Sequence, residues 1–195
     1  TNEEDLFRIN TLGFRGEAMA SIGAVSSMSI ETRSREENEG ARLYLEGGIL
    51  GDILTFGRGV GTTVKVRNLF FNTPARRKFL RHIDTETRHI TQNISNLASA
   101  YPSISFEFIH QDRQVLNFKV ANRRERARDL LNVIDPLYIE FEESGIRVEG
   151  VITSPEECGK SKGKQYLIVR GRPIVSTAIS KAIYRGYGGG LPQGM

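Results

Sequence analysis

The sequence predicts a mixed α/β (α+β) fold that is built from helices and largely antiparallel strands. Short β-rich segments are joined by tight-turn signals, and helical segments separate these strands at several points. The length of 195 residues allows one or two domains with a substantial core. Because the helix expected after Asn122 interrupts a run of strands, we predict one domain over 1–120 and a second over 121–195.

The first domain is expected to begin with helices and to continue as a strand-rich region. Thr1 and Glu4 form a capping-box pattern before a short helix, and residues 16–24 are predicted as a second helix. Strands are predicted in the segments SSMSIETRS, GARLYLEGGILGDILTF and GTTVKVRNL, with Gly47 and Gly48 as a hairpin turn.

Two helices and a hairpin are predicted to complete this domain. Pro74 suits the first position of a short helix, and Asp84 or Thr85 caps a longer helix that ends near Tyr101. The segments SISFEFI and QVLNFKV are predicted to pair through the connection HQDR. The longer helix has an apolar stripe that predicts its core-facing side: Ile90, Ile94, Leu97, Ala98 and Tyr101.

The second domain is predicted to alternate helices with hairpin strands. Asn122 caps the helical segment RRERARDLLNVI. The strands LYIEFEE and IRVEGVITS are expected to pair across a turn at Ser144 and Gly145. A further strand follows in KQYLIVRG, and a last helix, STAISKAIYRGY, is capped by Ser176 or Thr177.

Positive charge is concentrated in the last part of the chain. Residues 158–195 carry seven basic side chains and no acidic one, within a chain of net charge +4. This asymmetry suits contact with a polyanion, and a solvated surface is the alternative interpretation. No apolar run approaches membrane-spanning length. The single cysteine, Cys158, favours a reducing compartment.

The segment GFRGEA forms a candidate phosphate site directly before a predicted helix. Gly13 and Gly16 permit positive φ and a close approach of a ligand to the backbone. The free N–H groups and the positive dipole end of the helix favour an anion there. Arg15 adds a charge-assisted contact or is simply solvated. The alternative interpretation is a glycine-bounded turn that leads into a helix.

Two further clusters carry candidate ligand contacts. In GRGVGTTVKV, Gly61 loosens the backbone before a strand, and Thr62 and Thr63 place hydroxyl groups at its start. A bulged loop before a β-branched strand is the alternative. In NLFFNTPARRKFLRH, basic residues stand among apolar residues that are expected to anchor them in the core: Leu69, Phe70, Phe71, Phe79 and Leu80. This pattern indicates a phosphate-facing surface or a charged outer helix face.

Taken in this order, these segments resemble the MutL family of DNA mismatch repair proteins. The glycine loop points to the wider ATPase class of gyrase, the heat-shock chaperones and the histidine kinases, and the run LFFNTPARRKFL points to MutL within it. The resemblance covers nearly the whole chain, because YLIVRGRPIVSTAISKAIYRGYGGGLPQGM is similar to the family's transducer-like second domain. It implies a partial two-layer α/β sandwich followed by a small βαβ domain with a left-handed crossover.

The resemblance also implies which residues bind. The family's ATP lid is closed by the glycine loop, whose backbone N–H groups contact the nucleotide phosphates, here Gly13, Phe14, Arg15 and Gly16. The adenine side corresponds to Gly61, Thr62 and Thr63. RGRP stands where the family has NGR. The candidate DNA contacts in both domains are Arg76, Arg77, Lys78, Arg81, Lys162, Lys164, Arg170 and Arg172.

The implied cofactor is ATP with Mg²⁺ in the full-length protein. The implied partners are DNA, a mismatch-recognition protein of the MutS type, and a second subunit in a homodimer or a paralogue heterodimer, with no membrane. The expected location is cytoplasmic in a prokaryote or nuclear in a eukaryote.

Parts of the family's ATPase machinery do not occur in the sequence. The family has a general-base glutamate and a Mg²⁺-binding asparagine on an N-terminal helix, and an aspartate–glycine motif that reads adenine. Neither E-x-x-x-N nor D-x-G-x-G is present, so we expect a chain truncated at both ends and name no catalytic residue and no metal ligand.

Three functions are compatible with these observations. The chain is part of a repair protein that binds and hydrolyses ATP to drive lid closure, dimerisation and engagement of DNA and partners. Alternatively, it is a DNA-binding and partner-binding module without ATP turnover. A third possibility, a topoisomerase subunit of the same ATPase class, is disfavoured by the run NTPARRKFL.

Overall fold

The computed structural model describes residues 16–134, 136–158 and 164–188. Contacts divide the chain into two compact units, Thr1–Arg81 and His82–Met195. The domain boundary predicted at residue 121 falls inside the second unit and stays a prediction. The helix predicted after Thr1 lies outside the described residues.

The described part of the first unit, from Gly16 onward, contains an antiparallel sheet and two short helices. Its elements in chain order are α1 (Ala18–Gly23), β1 (Ser27–Arg33), β2 (Gly40–Glu46), β3 (Ile49–Leu50), β4 (Leu54–Phe56), β5 (Gly61–Arg67) and α2 (Pro74–Lys78). The strand order is β3-β2-β1-β5, and β4 also pairs with β2. This register places β1 at the centre, with β2 and β5 on its two sides.

Alternation along β1 separates an apolar face of this sheet from a polar one. Met28 lies opposite Leu45 on β2 and Val66 on β5, and it is only 2% exposed. Directly opposite residues share a face, so these side chains pack together. Gly23, the last residue of α1, sits against the same face, because a Cβ there would lie 3.0 Å from Leu45 and 3.2 Å from Met28. The C-terminal end of α1 therefore packs on the apolar face.

The described residues of the second unit form three α-helices and three separate antiparallel hairpins. Its elements are α3 (Ile83–Ala100), β6 (Phe106–His110), β7 (Arg113–Phe118), α4 (Arg123–Leu131), β8 (Leu137–Glu143), β9 (Ile146–Ile152), a short 3₁₀ turn (Pro155–Glu157), β10 (Leu167–Val169), β11 (Arg172–Ile174) and α5 (Thr177–Tyr187). The hairpins are β6–β7, β8–β9 and β10–β11. The mixed α/β class is confirmed, whereas the left-handed βαβ crossover stays a prediction, since every strand pair in the described residues is antiparallel.

A buried arginine stands beside the core of the second unit. Ala98, Phe118 and Leu130 form this core. Arg126 is 1% exposed, and one of its Nη atoms donates to three backbone carbonyl oxygens, those of Pro102, Ile104 and Lys119, at 2.6–3.0 Å. Its guanidinium lies 5.0 Å from the Phe118 ring centroid. Burial lowers the pKa of Arg126, and nearby Asp129 opposes this shift. Arg126 thus ties the loop after α3 to the end of β7.

Most predicted elements are confirmed, including two side-chain caps at the N-termini of helices. Asn122 accepts a hydrogen bond from the Glu125 N–H at 2.9 Å, and the Glu125 carboxylate accepts one from the Asn122 N–H. Ser176 accepts from the Ile179 N–H at 3.3 Å. These caps are local hydrogen bonds, which is why the sequence pattern alone predicted them.

Two predictions about α3 are wrong in detail. The helix begins at Ile83, with His82 as its N-cap and no capping side chain, so Asp84 and Thr85 do not cap it. Asp84 lies instead in the first turn, where its charge suits the helix dipole. Ile90 of the predicted stripe is 45% exposed, whereas Ala98 is fully buried. The core therefore packs on the C-terminal half of the helix.

Candidate functional site

Gly16 is the one member of the predicted phosphate loop that falls in the described residues. Gly13, Phe14 and Arg15 lie outside them. Gly16 has a φ of +64°, and no atom of the described residues lies within 4 Å of the place where a Cβ would stand. Its backbone adopts a conformation that favours glycine, and the space beside it is open. Both properties suit a close approach of a ligand to the backbone.

The turn after α1 is held by backbone hydrogen bonds from the β2–β3 hairpin. The Gly47 N–H donates to the Ser26 carbonyl at 3.1 Å, and the Gly48 N–H donates to the Gly23 carbonyl at 3.0 Å. These bonds satisfy carbonyl groups at the C-terminal end of the helix. The position of α1 is therefore tied to the sheet.

The segment after β5 holds the same turn from a second side. The Phe70 N–H donates to the Val25 carbonyl at 2.6 Å, and the Asn72 side-chain amide donates to the Ala24 carbonyl at 2.9 Å. Phe70 has a φ of +64°, which is unusual for a bulky residue. The run NLFFNT thus links the end of α1 to the start of α2. Sequence reasoning missed this link, because its partners are more than 40 residues apart.

The threonines of the predicted adenine-side motif point to opposite faces of the sheet. Thr62 lies opposite Thr32, and their hydroxyl oxygens are 2.8 Å apart. Thr32 comes four residues after Met28 on β1, and residues an even number apart on a strand share a face. Thr32 and Thr62 therefore lie on the apolar face on which α1 packs. Thr63 lies opposite Glu31 on the polar face. A ligand held on one face therefore contacts Thr62 or Thr63 and not both. Gly61 precedes them with a φ of +128°.

An ion cluster on the polar face orders the sheet beside this motif. The Glu31 carboxylate lies 3.0 Å from Arg42 and 3.3 Å from Lys65. Burial raises the pKa of Glu31, but these two cations outweigh burial and hold the pKa below its usual value. The carboxylate therefore stays ionised at neutral pH. Arg58 donates to the Glu31 backbone carbonyl and holds the glycine loop before Gly61 against the sheet.

The predicted basic residues of the first unit form an exposed cluster around α2. Pro74 begins this helix, and its last turn is entirely basic: Arg76, Arg77 and Lys78. Arg81 follows three residues later. The prediction of core anchors is wrong for four of the five residues, and only Phe70 is half-buried. The exposed four are Leu69 at 41%, Phe71 at 43%, Phe79 at 84% and Leu80 at 46%. A helix of five residues is too short to bury the apolar residues that follow its end.

The predicted basic residues of the second unit have different surroundings. Lys164 donates to the Leu131 carbonyl at 2.6 Å, so it satisfies the C-terminal end of α4. Arg170 is exposed at the turn between β10 and β11, and Arg172 begins β11. Lys162 lies outside the described residues. Arg170 is therefore the member of this set that is exposed in a turn and does not serve a helix end.

Comparisons with known proteins find mismatch repair proteins. A family profile described as the C-terminal domain of DNA mismatch repair protein matches residues 129–195. The DNA mismatch repair protein MutL of Citrifermentans bemidjiense is 37% identical over 98% of this chain and 30% of its own length. The MutL of Syntrophotalea carbinolica is 41% identical over 98% of this chain and 31% of its own length.

Solved structures of the same family have the same fold. The Aquifex aeolicus MutL ATPase domain complexed with ADP matches 95% of this chain and 71% of its own, with a TM-score of 0.78 and 29% identity. The chain belongs to the MutL family of DNA mismatch repair proteins. A second Aquifex aeolicus MutL ATPase domain matches 98% of this chain and 70% of its own, with a TM-score of 0.75 and 25% identity. This MutL-family chain spans about 30% of the length of the curated relatives.

Other kinds of site are not found in the described part of this MutL-family chain. Residues 16–134, 136–158 and 164–188 contain no group of three or more His, Cys, Asp or Glu side chains that could hold a metal ion. No helix among them has the length and apolar character to cross a membrane. Cys158 is half-buried in a loop, with its sulfur 3.4 Å from the Thr153 hydroxyl.

Proposed function

We propose that the chain is part of a mismatch repair protein that binds and hydrolyses ATP, and that ATP drives lid closure, dimerisation and engagement of DNA and partner proteins. The observation that carries this proposal is the structural match to a MutL ATPase domain complexed with ADP, which extends over 95% of the chain. Mg²⁺, when bound with ATP in the full-length protein, would supply charge neutralisation at the phosphates.

Gly16 and its predicted loop partners are proposed to hold the phosphates. The open space beside Gly16 fits a phosphate oxygen, and its positive φ turns the backbone into α1. Backbone N–H groups at such a turn bind an anion without a charged side chain. We extend this role to Gly13, Phe14 and Arg15 by their place in the family's motif.

Thr62 is the better candidate of the two threonines for the adenine side. Its hydroxyl lies on the face of the sheet on which α1 packs, whereas Thr63 faces the ion cluster of Glu31. Thr32 fixes the Thr62 hydroxyl at 2.8 Å, so the Thr62 oxygen is preorganised to bind a ligand or a bridging water. Gly61 has no side chain and a positive φ, so the backbone at the start of β5 can lie close to such a ligand.

Lid closure is proposed to act through the bonds that hold α1. A movement of this helix on ATP binding shifts the turn at Ala24 and Val25, which is bonded to Asn72 and Phe70. Asn72 stands two residues before Pro74, the first residue of the basic helix. Closure is a two-state change that contacts to the γ-phosphate bias.

DNA is proposed to bind the basic clusters of both units. The cluster of the first unit is Arg76, Arg77, Lys78 and Arg81, and that of the second unit is Lys162, Lys164, Arg170 and Arg172. Exposed arginines neutralise backbone phosphates without reading sequence. Lys164 contributes less, because its ammonium group already serves the end of α4.

The remaining partners are proposed on the same family basis. They are a mismatch-recognition protein of the MutS type and a second subunit, either identical or paralogous. The location proposed is cytoplasmic in a prokaryote or nuclear in a eukaryote. No membrane partner is proposed.

The phosphate site is tested by replacing Gly16 with valine in the full-length protein. We expect Gly16→Val to abolish ATP binding in a calorimetric titration, because the added side chain fills the open space and disfavours the positive φ. Gly145→Val is the matched control, since Gly145 also has a positive φ, of +76°, and open space around its Cβ position. Unchanged ATP affinity in Gly16→Val contradicts the assignment.

The DNA surface is tested by reversing two charges on α2. Arg76→Glu with Arg77→Glu should weaken DNA binding about equally across sequences and lower the log–log salt slope by about 0.9 for each lost phosphate contact. The control reverses two exposed arginines elsewhere, Arg113 and Arg124. Equal low-salt affinity of both double variants would place the DNA surface elsewhere.

A second candidate function is a DNA-binding and partner-binding module without ATP turnover. It is favoured by the basic residues that end α2 and by the exposed Arg170 at the β10–β11 turn, which attract phosphate without nucleotide chemistry. An ATPase assay of the full-length protein separates the two functions. ATP hydrolysis that Gly16→Val removes supports the first, and DNA binding without any hydrolysis supports the second.

A further inference from the structure

The turn between β10 and β11 carries an arginine where a different residue is the low-energy choice. Val169 pairs with Arg172, so Arg170 and Gly171 form a two-residue turn. Their φ values are +49° and +75°. Turns with two positive φ values favour Asn-Gly, because asparagine tolerates the left-handed conformation better than a long side chain. Arg170 therefore holds an unfavourable backbone conformation at an exposed position.

A tyrosine from another element holds this turn. The Tyr101 hydroxyl donates to the Gly171 carbonyl at 2.7 Å, and it lies 3.7 Å from the place where a Gly171 Cβ would stand. Tyr101 follows the last residue of α3, and its own N–H bonds to the Leu97 carbonyl at 2.9 Å. The ring is therefore placed by a core helix and reaches the turn from a fixed position.

Two other hairpins show that the turn geometry does not need such a support. Gln111 and Asp112 join β6 to β7 with φ values of +49° and +60°, and Ser144 and Gly145 join β8 to β9 with +52° and +76°. Within the described ranges, no hydrogen bond from another element reaches either turn. The tyrosine support is thus a feature of the basic turn and not a general requirement of this backbone.

We propose that Tyr101 is a positioning residue for DNA binding that acts through Arg170. This inference rests on the proposed function, in which Arg170 contacts a DNA phosphate. By holding the Gly171 carbonyl, Tyr101 keeps the backbone of the turn in one conformation and the start of the Arg170 side chain in one place. The guanidinium then meets a phosphate with less loss of conformational freedom than it would from a mobile turn.

The experiment is a double-mutant cycle on DNA affinity in the full-length protein. The variants are Tyr101→Phe, Arg170→Gln and the two combined, titrated with a non-specific DNA duplex at several salt concentrations. Phenylalanine keeps the ring and loses only the donor. We expect Tyr101→Phe to weaken binding about two- to fivefold, which corresponds to the loss of one ordinary hydrogen bond. Arg170→Gln should weaken binding and lower the log–log salt slope by about 0.9.

The combined variant carries the decisive measurement. If Tyr101 acts through Arg170, Tyr101→Phe has no further effect on DNA affinity once Arg170 is glutamine. Tyr138→Phe is the matched control, since that hydroxyl donates to Glu149 at 3.0 Å on the β8–β9 hairpin. It should leave DNA affinity unchanged. All affinities are measured below the melting temperature of every variant.

Each other outcome has a defined meaning. A weakening by Arg170→Gln with none by Tyr101→Phe overturns the inference and leaves the DNA surface in place. An equal effect of Tyr101→Phe in both backgrounds shows that it acts on the fold in general and also overturns the inference. No effect of Arg170→Gln removes the DNA contact at this turn, and the role of Tyr101 is then rejected together with it.

Discussion

The β2–β3 and β8–β9 hairpins turn with similar backbones in different surroundings. Gly47 and Gly48 have φ values of +58° and +89°, and Ser144 and Gly145 have +52° and +76°. A Cβ at Gly47 would lie 3.3 Å from the Phe71 ring, whereas no atom in the described part of the chain lies within 4 Å of a Cβ at Gly145. Both positions favour glycine for its backbone, but only the first also needs it for packing.

This difference follows from what each turn supports. The β2–β3 turn donates two backbone hydrogen bonds to the end of α1, the helix beside the proposed phosphate site. The β8–β9 hairpin is exposed along the whole of β8, and both residues of its turn are exposed. Local sequence thus determines the shape of a turn, and packing determines whether its residues are replaceable.

The largest effect is expected from Gly47→Ala. A Cβ in the left-handed conformation costs about 1–2 kcal/mol, and displacing Phe71 and Asn72 adds about 1 kcal/mol or more. Because the lower entropy of the unfolded chain offsets part of the backbone cost, we expect a total loss of about 1.5–2 kcal/mol in the free energy of unfolding, measured by urea denaturation. A loss below about 1 kcal/mol would mean that the contacts with Phe71 and Asn72 relax without cost, and the contrast between the turns would disappear.

Asn72→Ala tests the other side of the same support. It removes the hydrogen bond from the Asn72 amide to the Ala24 carbonyl, with an expected loss of about 1–1.5 kcal/mol by the same urea measurement. Because Asn72 also lies 3.4 Å from a Cβ at Gly47, Gly47→Ala should cost less in the Asn72→Ala background. Strict additivity of the two changes argues against contact between them.

Much of the fold was predictable because its signals are local. Gly47-Gly48 and Ser144-Gly145 have the residues that their backbones favour, and the Asn122 cap spans three residues. The turn at Gln111 and Asp112 lacks glycine, so the sequence predicted only a connection there.

The site was predictable as a set of motifs and not as an arrangement. Strand alternation places Thr62 and Thr63 on opposite faces of the sheet. Only the packing of α1 shows which of these faces lies beside the proposed phosphate loop. The bonds from Asn72 and Phe70 to the turn after α1 are long-range contacts without a local signature. Arg126 stands in the highly charged run RRERARDLL, which predicts solvent exposure, and its burial depends on three carbonyl groups from distant residues.

Gly145→Ala isolates the backbone part of the comparison. The expected loss is about 0.5–1 kcal/mol, because the cost of the left-handed conformation is partly offset by the lower entropy of the unfolded chain. The same urea measurement should show a smaller effect than Gly47→Ala by about 1 kcal/mol, the cost of displacing Phe71 and Asn72. Equal losses in the two variants would show that the surroundings of the β2–β3 turn contribute nothing to its need for glycine.

The smallest effect is expected at Gln111, in a turn that no hydrogen bond from another described element reaches. Gln111 has a φ of +49° and an exposed side chain, so packing does not constrain its residue type, whereas its left-handed backbone disfavours glutamine. Gln111→Asn should raise the free energy of unfolding by about 0.5 kcal/mol, because asparagine adopts the left-handed conformation more readily. This corresponds to a rise of about 1–2 °C in melting temperature for a chain of this size. Gln111→Ala is the control and should give no rise, since alanine lacks the polar group that forms local hydrogen bonds in this conformation. If asparagine also gives no rise, the left-handed conformation of Gln111 has no measurable cost. The hairpin turns then differ in packing alone.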